Sequence, residues 1–318
     1  HGSNIWFDKT ADELVPEGLV CPVCGHTHFT KESDIMDVWF DSGSTHAAVL
    51  DERDYLRFPA DVYLEGGDQY RGWFQSSMLT SIATKGVAPY KQIITHGWTV
   101  DGEGRAMHKS LGNAIGPEEI IKDYGADLLR LWVASADYTQ DMRISENIMK
   151  QLSQAYLKIR NTAKYMLGNL ADFNPDTDRV ARKDLMDLDR YALHCFNELT
   201  RSVQASYERY EFHGVYRAVY NFCVVEMSNF YLDIIKDRLY CADTASRRSA
   251  QTALYTILDG MTKLIAPILA FTSDEIWRAM PHDKDADARS VLLNDMPVYE
   301  EGLELTGAEA SGQGSREE

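Results

Sequence analysis

No stretch of this 318-residue chain comes near the ~18 consecutive apolar residues of a membrane-spanning helix, so no membrane span is expected. No secretory signal opens it. The first residue is His1 and the earliest methionine is Met36, so the sequence is expected to be a piece of a longer chain. Positive charge is scarce: 32 Lys and Arg stand against 49 Asp and Glu, for a formal net charge of −17. Phosphate neutralisation dominates nonspecific nucleic-acid affinity, so this balance argues against broad nucleic-acid binding while leaving room for a local basic patch. Cysteine is sparse and odd in number, five, with Cys195, Cys223 and Cys241 in helical patterns. That suits a reduced, cytoplasmic protein rather than a disulfide framework. No internal repeat is present.

What is there divides into four parts. Residues 1–34 hold short elements around "CPVCGHTHF". Residues 35–144 alternate β-like and helix-like runs: "DVWFD" (37–41) and "ADVYLEG" (60–66) read as strands. "YRGWFQSSMLTSIATKG" (70–86) reads as a helix with Trp73, Phe74, Met78 and Ile82 at helical spacing and Gly86 as its stop. "KQIITHGWTV" (91–100) reads as the next strand, and strand, helix, strand in that order predicts a parallel α/β unit. Over 145–298 the period becomes helical throughout. Ser145 is a good N-cap, and Ile148, Leu152, Ala155, Ile159, Ala163 and Met166 fall on one face. Further helices are expected near 184–210, 212–240 and 246–280, giving an antiparallel bundle. Residues 299–318 have too few large apolar residues to pack and are expected to be disordered; six of their residues are Glu, against Arg316.

Two stretches could carry chemistry. In "YLEGGDQYRGWF" (63–74) a strand ends and Glu65, Gly66, Gly67, Asp68 and Gln69 fall on the turn into a helix. Ligands of parallel α/β sheets bind outside the carboxyl ends of strands. Glu65 and Asp68 accept from an amine or ribose hydroxyls, and Gln69 both donates and accepts. An acidic turn that caps the helix through Asp68 explains the spacing equally well. In "THGWTVDGEGRAMHKSLGN" (95–113), His96 and Gly97 follow a strand, and a glycine-rich loop then carries Arg105 and Lys109. Lysine is a compact charge suited to phosphate, and flanking glycines let a loop close. Taken alone, the loop is better read as a charged surface hairpin.

Together the two stretches resemble the second half of the catalytic domain of class I aminoacyl-tRNA synthetases, specifically the isoleucine members. "DIMDVWFDSGSTHAAVL" (34–50) resembles the family's strand after its inserted domain, and "YLEGGDQYRGWFQSS" (63–77) its amino-acid and adenylate site. "DGEGRAMHKSLGN" (101–113) stands where the family has its Lys-Met-Ser-Lys-Ser loop. "DYGADLLRLWVAS" (123–135) and "APILAFTSDEIW" (266–277) resemble further segments. The resemblance covers about residues 1–298. Valine and leucine relatives differ at "EGGDQYRGWF".

The resemblance implies a fold of class α/β plus all-α: a partial Rossmann-like nucleotide-binding domain followed by an antiparallel α-helical bundle of anticodon-binding type. It implies attack of the isoleucine carboxylate on the α-phosphate of ATP, with Mg2+, and transfer of isoleucine to tRNA(Ile). Lys109 takes the catalytic role on the phosphates, since a positioned cation meets the charge that builds there. Ala106, Met107, His108, Lys109 and Ser110 form the ATP loop, with Ala106 where the family has its first Lys and His108 where it has Ser. Arg105 or His108 is a candidate substitute for the missing charge. Glu65 would contact the adenylate, Gly66, Asp68 and Gln69 would line the same site, and His96 and Gly97 would lie near the adenine. Trp73 would either wall the amino-acid pocket or pack as core.

The family's His-x-Gly-His element does not occur in this sequence, nor does its inserted editing domain, so the chain alone is expected to make no adenylate. Cys21 and Cys24, with His28 or His26 as a third donor, could hold Zn2+; a reduced, mobile arm is the alternative, since a structural site needs four ligands. Lys158, Arg160, Lys164, Arg209, Arg217, Arg238, Arg247 and Arg248 are candidate RNA contacts or a solvated helix face. A noncatalytic tRNA-binding module and a valine ligase of the same class are the competing readings.

Overall fold

The computed structural model describes residue 2, residues 4–241 and residues 244–302; of Lys109 only the backbone is described. The expected disordered tail therefore lies outside the described residues from 303 onward. The chain forms two compact units, His1–Thr95 and His96–Glu318.

The first unit is built on a two-stranded sheet of β1 (Ala60–Gly66) and β2 (Tyr90–His96). The expected run "DVWFD" is not a strand: Val38–Gly43 is a helix, α1. Val38, Trp39 and Phe40 are consecutive apolar residues, a pattern that fits either period. Close packing on the next helix decides it. α2 (Trp73–Lys85) follows β1 and ends at Gly86 with φ 73°, the left-handed stop its sequence promises. Gly43 lies so close to Ser76 that a Cβ there would come within 2.8 Å. The Trp73 indole donates to the Ser42 carbonyl at 2.9 Å.

The buried face of α2 also differs from the expected apolar stripe. Phe74, Ser77 and Ser81 are buried, while Ile82 is exposed. The small serines let the helix approach the sheet and have partners. Ser77 bonds the Tyr63 hydroxyl at 3.0 Å, and Ser81 donates to the Val87 carbonyl at 2.8 Å.

The second unit opens with β3 (Thr99–Val100), parallel to β4 (Met142–Arg143). Between them lie α3 (Pro117–Tyr124) and α4 (Ala126–Ser135). α5 (Glu146–Gly168) begins as expected, with Ser145 Oγ accepting the Ile148 N–H. α6 (Asp187–Glu208) and α7 (Phe212–Asn221) follow. α8 (Thr244–Ile265) and α9 (Ala270–Ala279) complete the set. Leu152, Ile159, Met166, Val203, Val219, Leu254 and Leu264 belong to one apolar core.

Two expected helices are interrupted. The span 212–240 passes into a π-helical segment at Phe222–Tyr231 and turns at Ile235. The span 246–280 breaks after Ile265, where Pro267 has no N–H to continue the ladder. The carbonyls freed at that break are used: Arg130 Nε donates to the Ile268 carbonyl at 2.9 Å, and Nη2 to that of Pro267 at 2.6 Å. The buried carboxylate of Asp127 then caps α9 by accepting the Thr272 N–H at 2.7 Å. Past the last helix, Asn197 brackets the backbone of Glu300 with two 2.9 Å bonds.

Candidate functional site

In the first unit, Glu65, Gly66, Asp68, Gln69 and Trp73 come together at the turn from β1 to α2. Gly66 is buried, and Glu65 and Asp68 are exposed. Glu65 Oε2 accepts the Gly66 N–H at 3.0 Å, which turns the carboxylate along the strand end. Gln69 acts locally: its Oε1 accepts the Trp73 N–H at 3.0 Å and its Nε2 donates to Asp68 at 3.3 Å. Gln69, rather than Asp68, caps α2. Gly72 permits this, because a Cβ there would lie 2.5 Å from Gln69 Oε1 and 3.0 Å from the Trp39 ring. Trp73 is stacked flat on Tyr63, with centroids 4.3 Å apart and planes 5° apart. Its half-buried ring therefore joins strand, helix and α1.

In the second unit, His96 Nδ1 lies 2.9 Å from the Gly97 carbonyl. Gly97 is pressed on the chain before β4; a Cβ would stand 2.4 Å from the Gln140 backbone. The loop that follows is not an open hairpin, because Asp101, which the sequence reading passed over, organises it. Its buried carboxylate accepts the N–H groups of Glu103 (3.0 Å) and Arg105 (2.9 Å), Arg105 Nε (2.9 Å) and Asn113 Nδ2 (2.9 Å). These donors, Asn113 first, hold the carboxyl well below the usual carboxylate range.

Within the loop, Ala106 pairs with Val100 and is exposed, Met107 packs on the core, and His108 and Ser110 are exposed. Lys109–Leu111 is a single 3-10 turn; the Lys109 side chain, assigned the phosphate role, lies outside the described residues. Arg105 is engaged by Asp101 and, at 3.2 Å, by Glu103. An Asp just before Gly-x-Gly and an Asn closing the loop were the available signals.

The bundle cations sort themselves. Arg238 is tied to Asp189, Arg247 and Arg248 to Asp172, and Arg209 to Glu211. Lys158, Lys164 and Arg217 are exposed and, with the half-buried Arg160, make no ion pair among the described residues.

Cys21 and Cys24 are neighbours at a turn closed by the Gly25 N–H on the Cys21 carbonyl (2.9 Å). The N–H groups of Cys24 and then Val23 draw the Cys21 thiol below its ordinary range. His28 Nδ1 lies 3.6 Å from Asp12. Among the described residues no three His, Cys, Asp or Glu side chains converge on one point. Two thiols supply two of the four ligands that a structural zinc requires.

Residues 1–145 match the family described as tRNA synthetases class I (I, L, M and V), and residues 189–314 the anticodon-binding domain of tRNA ligase. The chain belongs to the class I tRNA synthetases. It is 60% identical over 300 residues to the isoleucine–tRNA ligase of Syntrophotalea carbinolica, covering 94% of this chain and 32% of that protein. It is 58% identical over 304 residues to that of Caldicellulosiruptor saccharolyticus, covering 95% of this chain and 33% of the other. It thus spans about a third of the length of the curated relatives it matches.

Among solved structures, the LeuRS–tRNA–LeuAMS ternary complex of Agrobacterium radiobacter K84 superposes with a TM-score of 0.69 at 19% identity, over 90% of this chain and 35% of that one. Mycobacterium tuberculosis methionyl-tRNA synthetase with methionyl-adenylate gives 0.60 at 18% identity, over 77% of this chain and 50% of that one. These likenesses establish the class I synthetase fold. No described helix is long and apolar enough to cross a membrane.

Proposed function

We propose that this chain is a segment of an isoleucine–tRNA ligase. The whole enzyme joins isoleucine to ATP, releases pyrophosphate, and passes the isoleucyl group from the adenylate to tRNA(Ile) in the cytoplasm. The supporting observation is the 60% identity to an isoleucine–tRNA ligase along 94% of the chain. A valine ligase or a binding module without catalysis would not call for that match.

Residues 35–144 would be the second half of a Rossmann-like catalytic domain and 145–298 an antiparallel anticodon-binding bundle. Residues 1–34 would close an inserted region, and 299–318 would be a tail. Glu65, Gly66 and Asp68 would face the aminoacyl adenylate, with Gln69 and Trp73 holding the turn in shape. His96 and Gly97 would flank the adenine. Lys109, presented by residues 106–110, would stabilise charge on the ATP phosphates, which Mg2+ accompanies as part of the substrate.

The test is isoleucine-dependent ATP–pyrophosphate exchange by the full-length protein that carries this segment. Isoleucine should support exchange far better than valine, and Lys109→Ala should slow it by about a hundredfold, as removal of one charge-stabilising group does. Equal exchange with valine, or an unchanged rate in Lys109→Ala, would sink the corresponding assignment. The 318-residue chain on its own should give no exchange.

A further inference from the structure

Asp101 and Asn113 lie twelve residues apart at the two ends of the glycine-rich loop and bond each other at 2.9 Å. Asn113 then works in two further directions. Its Nδ2 also donates to the Ala106 carbonyl at 3.1 Å, and its Oδ1 accepts the His108 N–H at 2.9 Å. The Leu111 N–H donates to the His108 carbonyl at 3.0 Å, closing the 3-10 turn that Asn113 suspends. On the other side of the neck, Asp101 takes two backbone N–H groups and the Arg105 guanidinium. Asp101 is itself fixed: Val100 before it lies in the β3–β4 ladder, and Gly102 after it sits where a Cβ would be 3.0 Å from the Ser145 Cβ. Gly104 and Gly112, at φ 83° and 63°, allow the bends that fold the segment on itself.

A loop of this length with three glycines would otherwise sample many shapes, and each immobilised residue costs conformational entropy. Here one buried carboxylate and one amide close it at the neck. The segment is therefore built to move as a body rather than to fray residue by residue.

We propose that Asp101 and Asn113 are a positioning pair that holds residues 102–112 as one closed unit and sets where the Lys109–Leu111 turn is presented to the nucleotide. Arg105 belongs to that clasp and is not a phosphate ligand. The inference rests on the ligase reading only for its effect on rate; the clasp itself is testable without activity.

Two measurements test it. Amide hydrogen exchange on the 318-residue chain should show the His108 amide exchanging about tenfold faster or more in Asn113→Ala, with the helices of the second unit unchanged. In the full-length enzyme the same variant should lose about tenfold or more in kcat for ATP–pyrophosphate exchange, with KM for isoleucine within about twofold, the pattern of a lost transition-state contact. Exchanging the partners, Asp101→Asn with Asn113→Asp, restores one amide–carboxylate bond across the neck. That double variant should be faster than either single one.

An unaltered His108 amide, an unaltered kcat, or a double variant as slow as the product of the singles would each overturn the pair. If the wild-type enzyme shows no exchange with isoleucine, the ligase reading falls, and the His108 amide still decides whether the clasp exists.

Discussion

Asp189 and Arg238 meet inside the helical unit as a two-point ion pair, Nη1 to Oδ1 at 2.9 Å and Nη2 to Oδ2 at 2.6 Å. The carboxylate is wholly buried, and Tyr231 and Ser249 donate to it at 2.7 and 2.5 Å. Arg238 in turn donates to the hydroxyl and carbonyl of Ser246. One carboxylate thus joins α6, the π-helical segment, the short helix Lys236–Tyr240 and α8. Removing one partner of such a pair leaves a buried charge uncompensated. Asp189→Asn should destabilise the chain by about 3–5 kcal/mol in urea unfolding, whereas disrupting an exposed pair such as Lys150–Glu146 should change it little. Comparable losses in the two would remove Asp189 from the centre of the bundle.

That pair also shows where the sequence stops being legible. The periods placed α2 and α5, and Leu152, Ile159, Ala163 and Met166 are core as their spacing promises. The strand expected at 37–41 failed because three adjacent apolar residues carry no period, and the close approach of Gly43 to Ser76 decides the conformation. Ser77 and Ser81 read as a polar face, yet they are the buried one, because each hydroxyl found a partner outside the helix. The candidate site divides in the same way. The residues of the β1–α2 turn were legible as a group, whereas Asp101 and Asn113 act through a bond across twelve residues, for which their places at the two ends of the loop are the only sequence signal. Charge alone left eight bundle cations equivalent, and only their partners separate the tied ones from the others.

Asp172 gives a pH dependence with a definite sign. The Arg247 guanidinium, aided by Gln251 against the opposing effect of burial, draws its carboxyl from 3.8 down to about 2. A carboxyl with a lower value in the folded state contributes stability that is present above its unfolded value and lost as pH falls through the folded one. The difference in unfolding midpoint between the wild type and Asp172→Asn should therefore be steady above pH ~4 and shrink between about 4 and about 2. A difference independent of pH through that window would mean the pair carries no charge-dependent stability.

Cys21 and Cys223 should stand at opposite ends of thiol reactivity. The N–H groups of Cys24 and Val23 draw the Cys21 thiol down, and it is partly exposed. Burial pushes the wholly buried Cys223 up to about 12. Thiolate is the reacting form, so iodoacetamide near neutral pH should label Cys21 first and leave Cys223 untouched until the chain unfolds. Peptide mass spectrometry over time reads the order directly, and early labelling of Cys223 would contradict its place in the core.

Gly97 tests whether a lost nucleotide contact can be told from a lost shape. A Cβ there would meet the Gln140 backbone at 2.4 Å, and backbone cannot step aside as a flexible side chain can. Gly97→Ala should cost about 1–3 kcal/mol in unfolding free energy through displacement of β3 from β4. If stability is unchanged while ATP affinity falls, Gly97 acts on the ligand itself; a fall in both places its role in the local fold.

On the proposed tRNA reading, the cations without an acid partner are the ones that can neutralise phosphate. Lys158 and Lys164 are exposed on α5 and make no ion pair among the described residues, whereas Arg247 and Arg248 are already spent on Asp172. A phosphate contact releases counterions, so each one lost lowers the slope of log affinity against log salt by about 1. In the full-length enzyme, Lys158→Ala with Lys164→Ala should lower that slope by about 2 for tRNA(Ile). Arg247→Ala should leave the slope unchanged while reducing stability. The comparison separates charge from fold, because a variant that weakens binding only by loosening the bundle loses affinity at every salt concentration alike. An unchanged slope in the double lysine variant would remove these two lysines of α5 from the tRNA surface.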